Sequence, residues 1–136
     1  MKGVDELIKK INKLKATEKE LKEELELTAV NIRLDASRAA PQFLSGQIVE
    51  RATNGGLTQE IVVNGGNIGA YIEFGTGAHA AELLAGYPED WVEIAKRFYI
   101  NGQGTLPAAP YLYPAYVKHA TKLPERIKLI LDNAVK

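Results

Sequence analysis

The chain has 136 residues, 46% of them hydrophobic and 25% charged, the balance of one ordinary folded domain with enough chain to bury a core. Basic and acidic side chains each number 17, so no overall charge draws the protein to nucleic acid or to an anionic membrane. Cysteine is absent, which excludes thiolate catalysis, thiolate metal sites and disulfides, and no apolar run approaches the roughly 20 residues of a membrane helix.

From Val4 to about Ala40 there is neither glycine nor proline, and Val4, Leu7, Ile11, Leu14, Leu21, Leu25 and Ile32 recur at helical spacing. The pattern predicts one long helix, or two joined at a weak point. Glu18 and Thr28 interrupt the stripe, which argues against a sustained coiled coil. Charges of both signs crowd Lys9 to Glu26, with Glu18/Lys22 and Lys19/Glu23 spaced for ion pairs. Residues 1–27 therefore read as a helical arm, either a solvated face or a surface that packs on a neighbouring subunit. Residues 28–136 form the body of a single domain.

Pro41 ends the helix. The runs Gln47 to Thr53 and Leu57 to Val63 flank Asn54-Gly55-Gly56, whose positive φ angles suit an antiparallel hairpin. Gly69 to Phe74 is apolar and short, a third strand or a turn of helix. A loop from Gly75 to about Gly86 leads to a short helix, Pro88 to Ile100, with Trp91, Ile94, Ala95 and Phe98 on one face. A proline-punctuated segment, Leu106 to Pro114, precedes a last helix from about Ala115 to Val135, which Pro124 kinks or breaks.

Little in this chain carries chemistry. His79 and His119 are forty positions apart, without ligand spacing to another His or acid, and both read as solvated rather than metal-binding or basic catalysts. Asp35, Glu50, Glu60 and Glu73 are candidate members of carboxylate pairs, but sequence brings no two together. The glycine-rich turns lack the lysine and spacing of phosphate loops. Lys9-Lys10 and the run Lys118 to Lys128 are interleaved with acids and carry no aromatic stacking motif. No catalytic residue, cofactor or metal is expected. Glu73 stands between Ile72 and Phe74, beside the Gly75-Thr76-Gly77 amides, as a loop-fixing acceptor or a subunit contact. Pro107, Pro110 and Pro114 stiffen a segment that presents Tyr111, Leu112 and Tyr113 either as interface anchors or as a cap on the domain's own core.

Two stretches, Tyr71-Ile72-Glu73-Phe74-Gly75-Thr76-Gly77 and Gly104-Thr105-Leu106-Pro107-Ala108-Ala109-Pro110-Tyr111-Leu112-Tyr113-Pro114-Ala115, in this order and before a terminal helix, resemble the tail-completion or head-tail joining proteins of long-tailed phages and prophages. Pro41, Ser45-Gly46 and Ile48 fit more loosely, and the resemblance spans about Arg38 to Ala120. The chain departs from the pattern in lacking an acid before Ser45 and in a longer insert from Ala78 to Ile100.

The resemblance implies a structural virion protein forming a ring, a hexamer, at the neck. Its partners would be further copies of itself and the neighbouring head-connector and tail proteins, with DNA passing through the channel without sequence-specific contact. It would be assembled in the host cytoplasm, with no membrane partner and no enzymatic role. Glu73, Phe74, Gly75, Thr76, Pro110, Tyr111, Leu112, Tyr113 and Pro114 would be the interface positions. The alternative is a small-ligand-binding or enzymatic domain using the Gly75 to Gly86 loop. The expected fold is α+β: a long amino-terminal helix, a small mostly antiparallel sheet, and a carboxy-terminal helix packed on the sheet.

Overall fold

The computed structural model describes residues 2–66, 68–74, 87–96 and 109–135. One uninterrupted helix, α1 (Lys2–Ala39), runs through the molecule, and the hairpin and the carboxy-terminal helices pack against it. It is continuous because nothing in the run breaks it, and it stops because Pro41 holds the preceding residue out of helical geometry. Its last bond is from the Ala40 amide to the Ala36 carbonyl, 2.9 Å. Both expected surface pairs form, Lys22 with Glu18 at 3.0 Å and Lys19 with Glu23 at 3.9 Å.

A single-turn helix, α2 (Gln42–Ser45), folds back beside the end of α1, where the Ser37 hydroxyl donates to the Ser45 carbonyl at 3.1 Å. The hairpin follows as expected. Strands β1 (Ile48–Thr53) and β2 (Thr58–Val63) are antiparallel, in register from Ile48 opposite Val63 to Thr53 opposite Thr58. The turn is a short 3-10 segment in which Asn54, Gly55 and Gly56 all take positive φ, 51°, 65° and 95°, a conformation cheap for glycine and tolerable for asparagine. The tip rests on the aliphatic stem of Lys22. Ile61 and Val63 of β2 pack on the core, while Arg51 and Glu60 pair across the outer face, Nε to Oε2 at 3.1 Å.

The ambiguous segment is a helix, α3 (Ile68–Phe74), with Gly69, Ile72, Glu73 and Phe74 buried. Burial on several sides removes the periodicity that would have distinguished helix from strand. Helix α4 (Glu89–Lys96) starts after Pro88 as expected, and the part of the forecast beyond Lys96 lies outside the described residues. The last helix is two: α5 (Leu112–Ala120) and α6 (Leu123–Ala134), with Pro124 in the first turn of α6. The break falls where Pro124 has no amide to offer the carbonyl of Ala120. Helix α5 begins three residues before the expected Ala115, for a reason given below.

The α+β architecture holds, with α1 as its spine. Helices α5 and α6 pack mainly against α1, and Leu123, Pro124 and Ile127 of α6 line a cavity together with Gln59 and Ile61 of β2. The core is Ile32 and Ala36 of α1, Leu44 of α2, Ile48 of β1, Ile72 of α3, and Tyr111 and Ala115 at the start of α5. Along α1, every residue from Gly3 to Ala16 is exposed, the stretch Leu21–Leu25 is half-covered by the hairpin tip and α6, and full burial begins at Thr28 and Ala29. No helix among the described residues is long and apolar enough to cross a membrane.

Candidate functional site

Glu73 is 2% exposed, and a carboxylate that deep must be satisfied on all sides. Its Oε2 accepts the amides of Tyr111 and Leu112 at 2.8 and 2.9 Å, and its Oε1 accepts the Tyr113 amide at 2.9 Å and the Tyr87 hydroxyl at 3.2 Å. These amides are the free donors at the start of α5, which has no side-chain cap of its own. Glu73 is therefore a helix cap supplied from 38 residues away, placed at the positive end of the α5 dipole. Pro114, the third residue of α5, has no amide and so adds no unpaired donor to the first turn. This cap explains the early start of α5: local sequence offers none, so the helix begins where Glu73 can reach.

The expected acceptor role of Glu73 is thus present with different donors. The Gly75-Thr76-Gly77 amides, named above as its partners, lie outside the described residues, as do His79, Pro107 and the Gly75 to Gly86 loop.

Further bonds weld the same two stretches. The Ala109 amide donates to the Ile72 carbonyl at 2.8 Å, and the Tyr111 hydroxyl donates to the Gly69 carbonyl at 3.0 Å. Gly69 is required by this approach: a Cβ there would stand 2.8 Å from Val63 Cγ1 and 2.9 Å from the Tyr111 hydroxyl. Burial, reinforced by the Glu73 charge, pushes the Tyr111 phenol up to about 12, and the Tyr87 phenol is raised for the same two reasons in the same order. Around the carboxylate, Tyr87 stacks on Tyr113 with centroids 4.2 Å apart, and Trp91 meets Tyr113 edge-on at 4.9 Å. Phe74 stands edge-on to Tyr87 at 5.8 Å.

The nine interface positions named from sequence divide accordingly. Glu73, Phe74 and Tyr111 are buried within the chain, Pro110, Leu112 and Tyr113 are half-buried, and Pro114 is exposed. Gly75 and Thr76 lie outside the described residues. Of the two readings of the tyrosines, Tyr111 follows the one in which they close the domain's own core.

The second polar cluster corrects a forecast. His119 is not solvated: its side chain is 14% exposed and Nε2 lies 2.6 Å from Asp35 Oδ2. Lys118 Nζ is 3.3 Å from the same oxygen, and Arg38 is 3.3 Å from Oδ1. The His119 hydrogen bond, with help from Lys118, holds the Asp35 carboxyl below its ordinary value against a smaller opposing effect of burial. Two more of the candidate carboxylates pair with cations, Glu50 with Arg33 and Glu60 with Arg51. Among the described residues, no group of three or more His, Asp or Glu side chains is arranged to hold a metal ion.

A cavity of about 460 Å³ lies between α1, β2, α4, α5 and α6, lined by Leu25, Thr28, Ile32, Trp91, Leu112 and Tyr116 among others. The Thr28 hydroxyl at its wall is buried without a hydrogen-bond partner. Nothing in the sequence pointed to this cavity, because it is assembled from side chains on separate elements.

Comparison with protein-family models, with curated proteins and with solved structures found no match.

Proposed function

We propose that this chain is a structural component of a phage or prophage particle, a head-tail joining or tail-completion protein that assembles as a ring at the neck. One observation carries the reading. The two stretches that resemble that family are separated by 26 residues, yet Glu73 of the first caps the helix that the second begins. The motifs thus make one structural unit, as expected if they specify a common fold element rather than two chance matches. In this reading Pro110, ahead of α5, and Tyr113 and Pro114, in its first turn, contribute to the contact, and function is geometric: copies close a ring, and loops dock on the rings above and below. Native mass and electron microscopy of the purified protein test the ring, and deletion of its gene in an inducible lysogen tests the role. The expected results are a closed ring and separate heads and tails; complete infectious particles from the deletion strain overturn the reading.

A second reading, small-molecule binding, is favoured by the apolar cavity and the unpartnered Thr28 hydroxyl. Its ligand would be largely apolar with one hydrogen-bonding group. A soak with a panel of such compounds that leaves the melting temperature unmoved sets this reading aside.

A further inference from the structure

We propose that the cavity between α1, β2, α4, α5 and α6 takes an uncharged molecule of two or three fused rings carrying one hydroxyl group, a phenol or ring alcohol in class. The inference rests on the small-molecule reading above and is independent of the neck reading. The volume of about 460 Å³ is roughly three times the 150 Å³ that holds benzene in a protein core, which sets the size of the guest. Trp91 of α4 and Tyr116 of α5 lie together in the lining, their ring centroids 5.8 Å apart and their planes tilted by 50°. They offer a flat guest ring-to-ring contact, and aliphatic side chains such as Ile32, Ile61 and Ile127 cover most of the remainder.

The lining selects against charge. Among the described residues that form it there is no Lys, Arg, His, Asp or Glu. Glu24 and Arg126, beside Leu25 and Ile127 in the sequence, are bonded to each other at 3.1 Å, so neither is left to pair with a buried ionic group. A carboxylate, phosphate or ammonium group in this cavity would leave water without a counter-ion, at a cost the apolar contacts do not repay. A fatty acid or an organic phosphate is therefore the wrong guest, although the walls are apolar.

Thr28 selects for the hydroxyl. Thr17 and Thr121 turn their hydroxyls back to the carbonyls of Lys13 and Val117, four residues earlier, at 2.9 and 2.7 Å, the usual way for a helical threonine to satisfy itself. Thr28 is 4% exposed and does not: its hydroxyl has no partner among the described residues. Ala120 also lines the cavity, and its carbonyl, which would take the amide of position 124 in an unbroken helix, meets Pro124 instead. A guest that answers both groups must donate as well as accept. A hydroxyl does this, whereas a ketone or an ether only accepts.

Naphthol, naphthalene and naphthoate share one skeleton and separate these terms. Each is titrated into the full chain at neutral pH and followed by the indole N–H resonance of Trp91, which is the single tryptophan. The expected order is naphthol about tenfold tighter than naphthalene, the gain of one well-made hydrogen bond, with naphthoate not binding. A wholly apolar pocket would reverse the first two, because burying an unanswered hydroxyl costs free energy. In Thr28→Val, which keeps the shape of the side chain, the advantage of naphthol should fall several-fold while naphthalene binds as before. Binding of naphthoate, preference for naphthalene, or an unchanged naphthol advantage in Thr28→Val each overturns this inference and leaves the cavity a ligand site. An unmoved Trp91 resonance with all three compounds removes the inference and the small-molecule reading together.

Discussion

His119 on α5 and Asp35 on α1 are 84 residues apart in sequence and 2.6 Å apart in space, and their bond is one of the polar ties that hold the carboxy-terminal helices to the spine. Because His119 and Lys118 lower the Asp35 carboxyl below 3.8, the folded protein binds that proton less readily than the unfolded chain does. The stabilisation is fully present above the unfolded value and is lost as pH falls through the depressed folded one. Asp35→Asn removes it. The stability difference between wild type and Asp35→Asn, measured by urea denaturation, should therefore shrink as pH falls between roughly 5 and 2. A difference that grows on acidification contradicts the assignment.

Glu73 should behave as a cap rather than as a reactive acid. Glu73→Gln keeps one acceptor oxygen but turns an amide group towards backbone donors, and it removes the charge from the helix start. It should cost about 2 kcal/mol, within the range for hydrogen bonds to a charged group. Glu73→Ala should cost more, on the order of 3 kcal/mol, by leaving the Tyr111 amide buried without an acceptor. Thermal melts of both variants check the order. Equal stability of Glu73→Ala and wild type contradicts the cap.

Gly69→Ala sets two effects against each other. In a helix, alanine gains roughly 1 kcal/mol over glycine, yet here its methyl would stand 2.8 Å from the branched Val63 side chain, which cannot swing aside. The steric cost, typically about 1–3 kcal/mol for overpacking, should win, and the variant should melt below wild type. Adding Val63→Ala should recover part of the loss specific to the pair, and strict additivity in this double-mutant cycle would show that the contact is not the cause.

The Thr28 hydroxyl is buried and unpartnered, so in the absence of a ligand Thr28→Val should stabilise the fold by about 1 kcal/mol. The shift in melting temperature should be a few degrees upward for a chain of this size. A fall instead would mean that the hydroxyl is satisfied in solution.

What could be read from the sequence was local. The unbroken run from Val4 predicted α1, Asn54-Gly55-Gly56 predicted the hairpin, and Pro124 predicted the break between α5 and α6, because each signal sits within a few residues of its effect. The candidate site was legible only as two stretches and a lone carboxylate. Its partners, the first amides of α5, belong to an element whose starting point is itself set by Glu73, so neither could be placed without the other. His119 was misplaced for the same reason: its partner Asp35 is 84 residues away in the sequence, and no spacing rule connects them. The cavity left no trace at all, since Leu25, Trp91 and Leu112 fall into one wall only after α4 and α5 have docked.

Tyr111 and Pro114 separate folding from assembly. Tyr111 is 2% exposed and its hydroxyl is bonded to Gly69, so Tyr111→Phe should cost about 1 kcal/mol and Tyr111→Ala about 3–5 kcal/mol, as for other emptied aromatic core sites. Pro114 is exposed, and Pro114→Ala should leave the melting temperature within a few degrees of wild type, because surface changes usually fall within about 0.5 kcal/mol. If the stretch from Pro110 to Pro114 at the start of α5 joins neighbouring copies, Pro114→Ala and Tyr113→Leu should lower the native mass at a given concentration, whereas Tyr111→Phe should not. Calorimetry and light scattering on the same samples give both readouts. Unchanged mass for Pro114→Ala and Tyr113→Leu would place the subunit contact elsewhere on the chain, and lost mass for Tyr111→Phe at an unchanged melting temperature would move that tyrosine out of the core and into the contact.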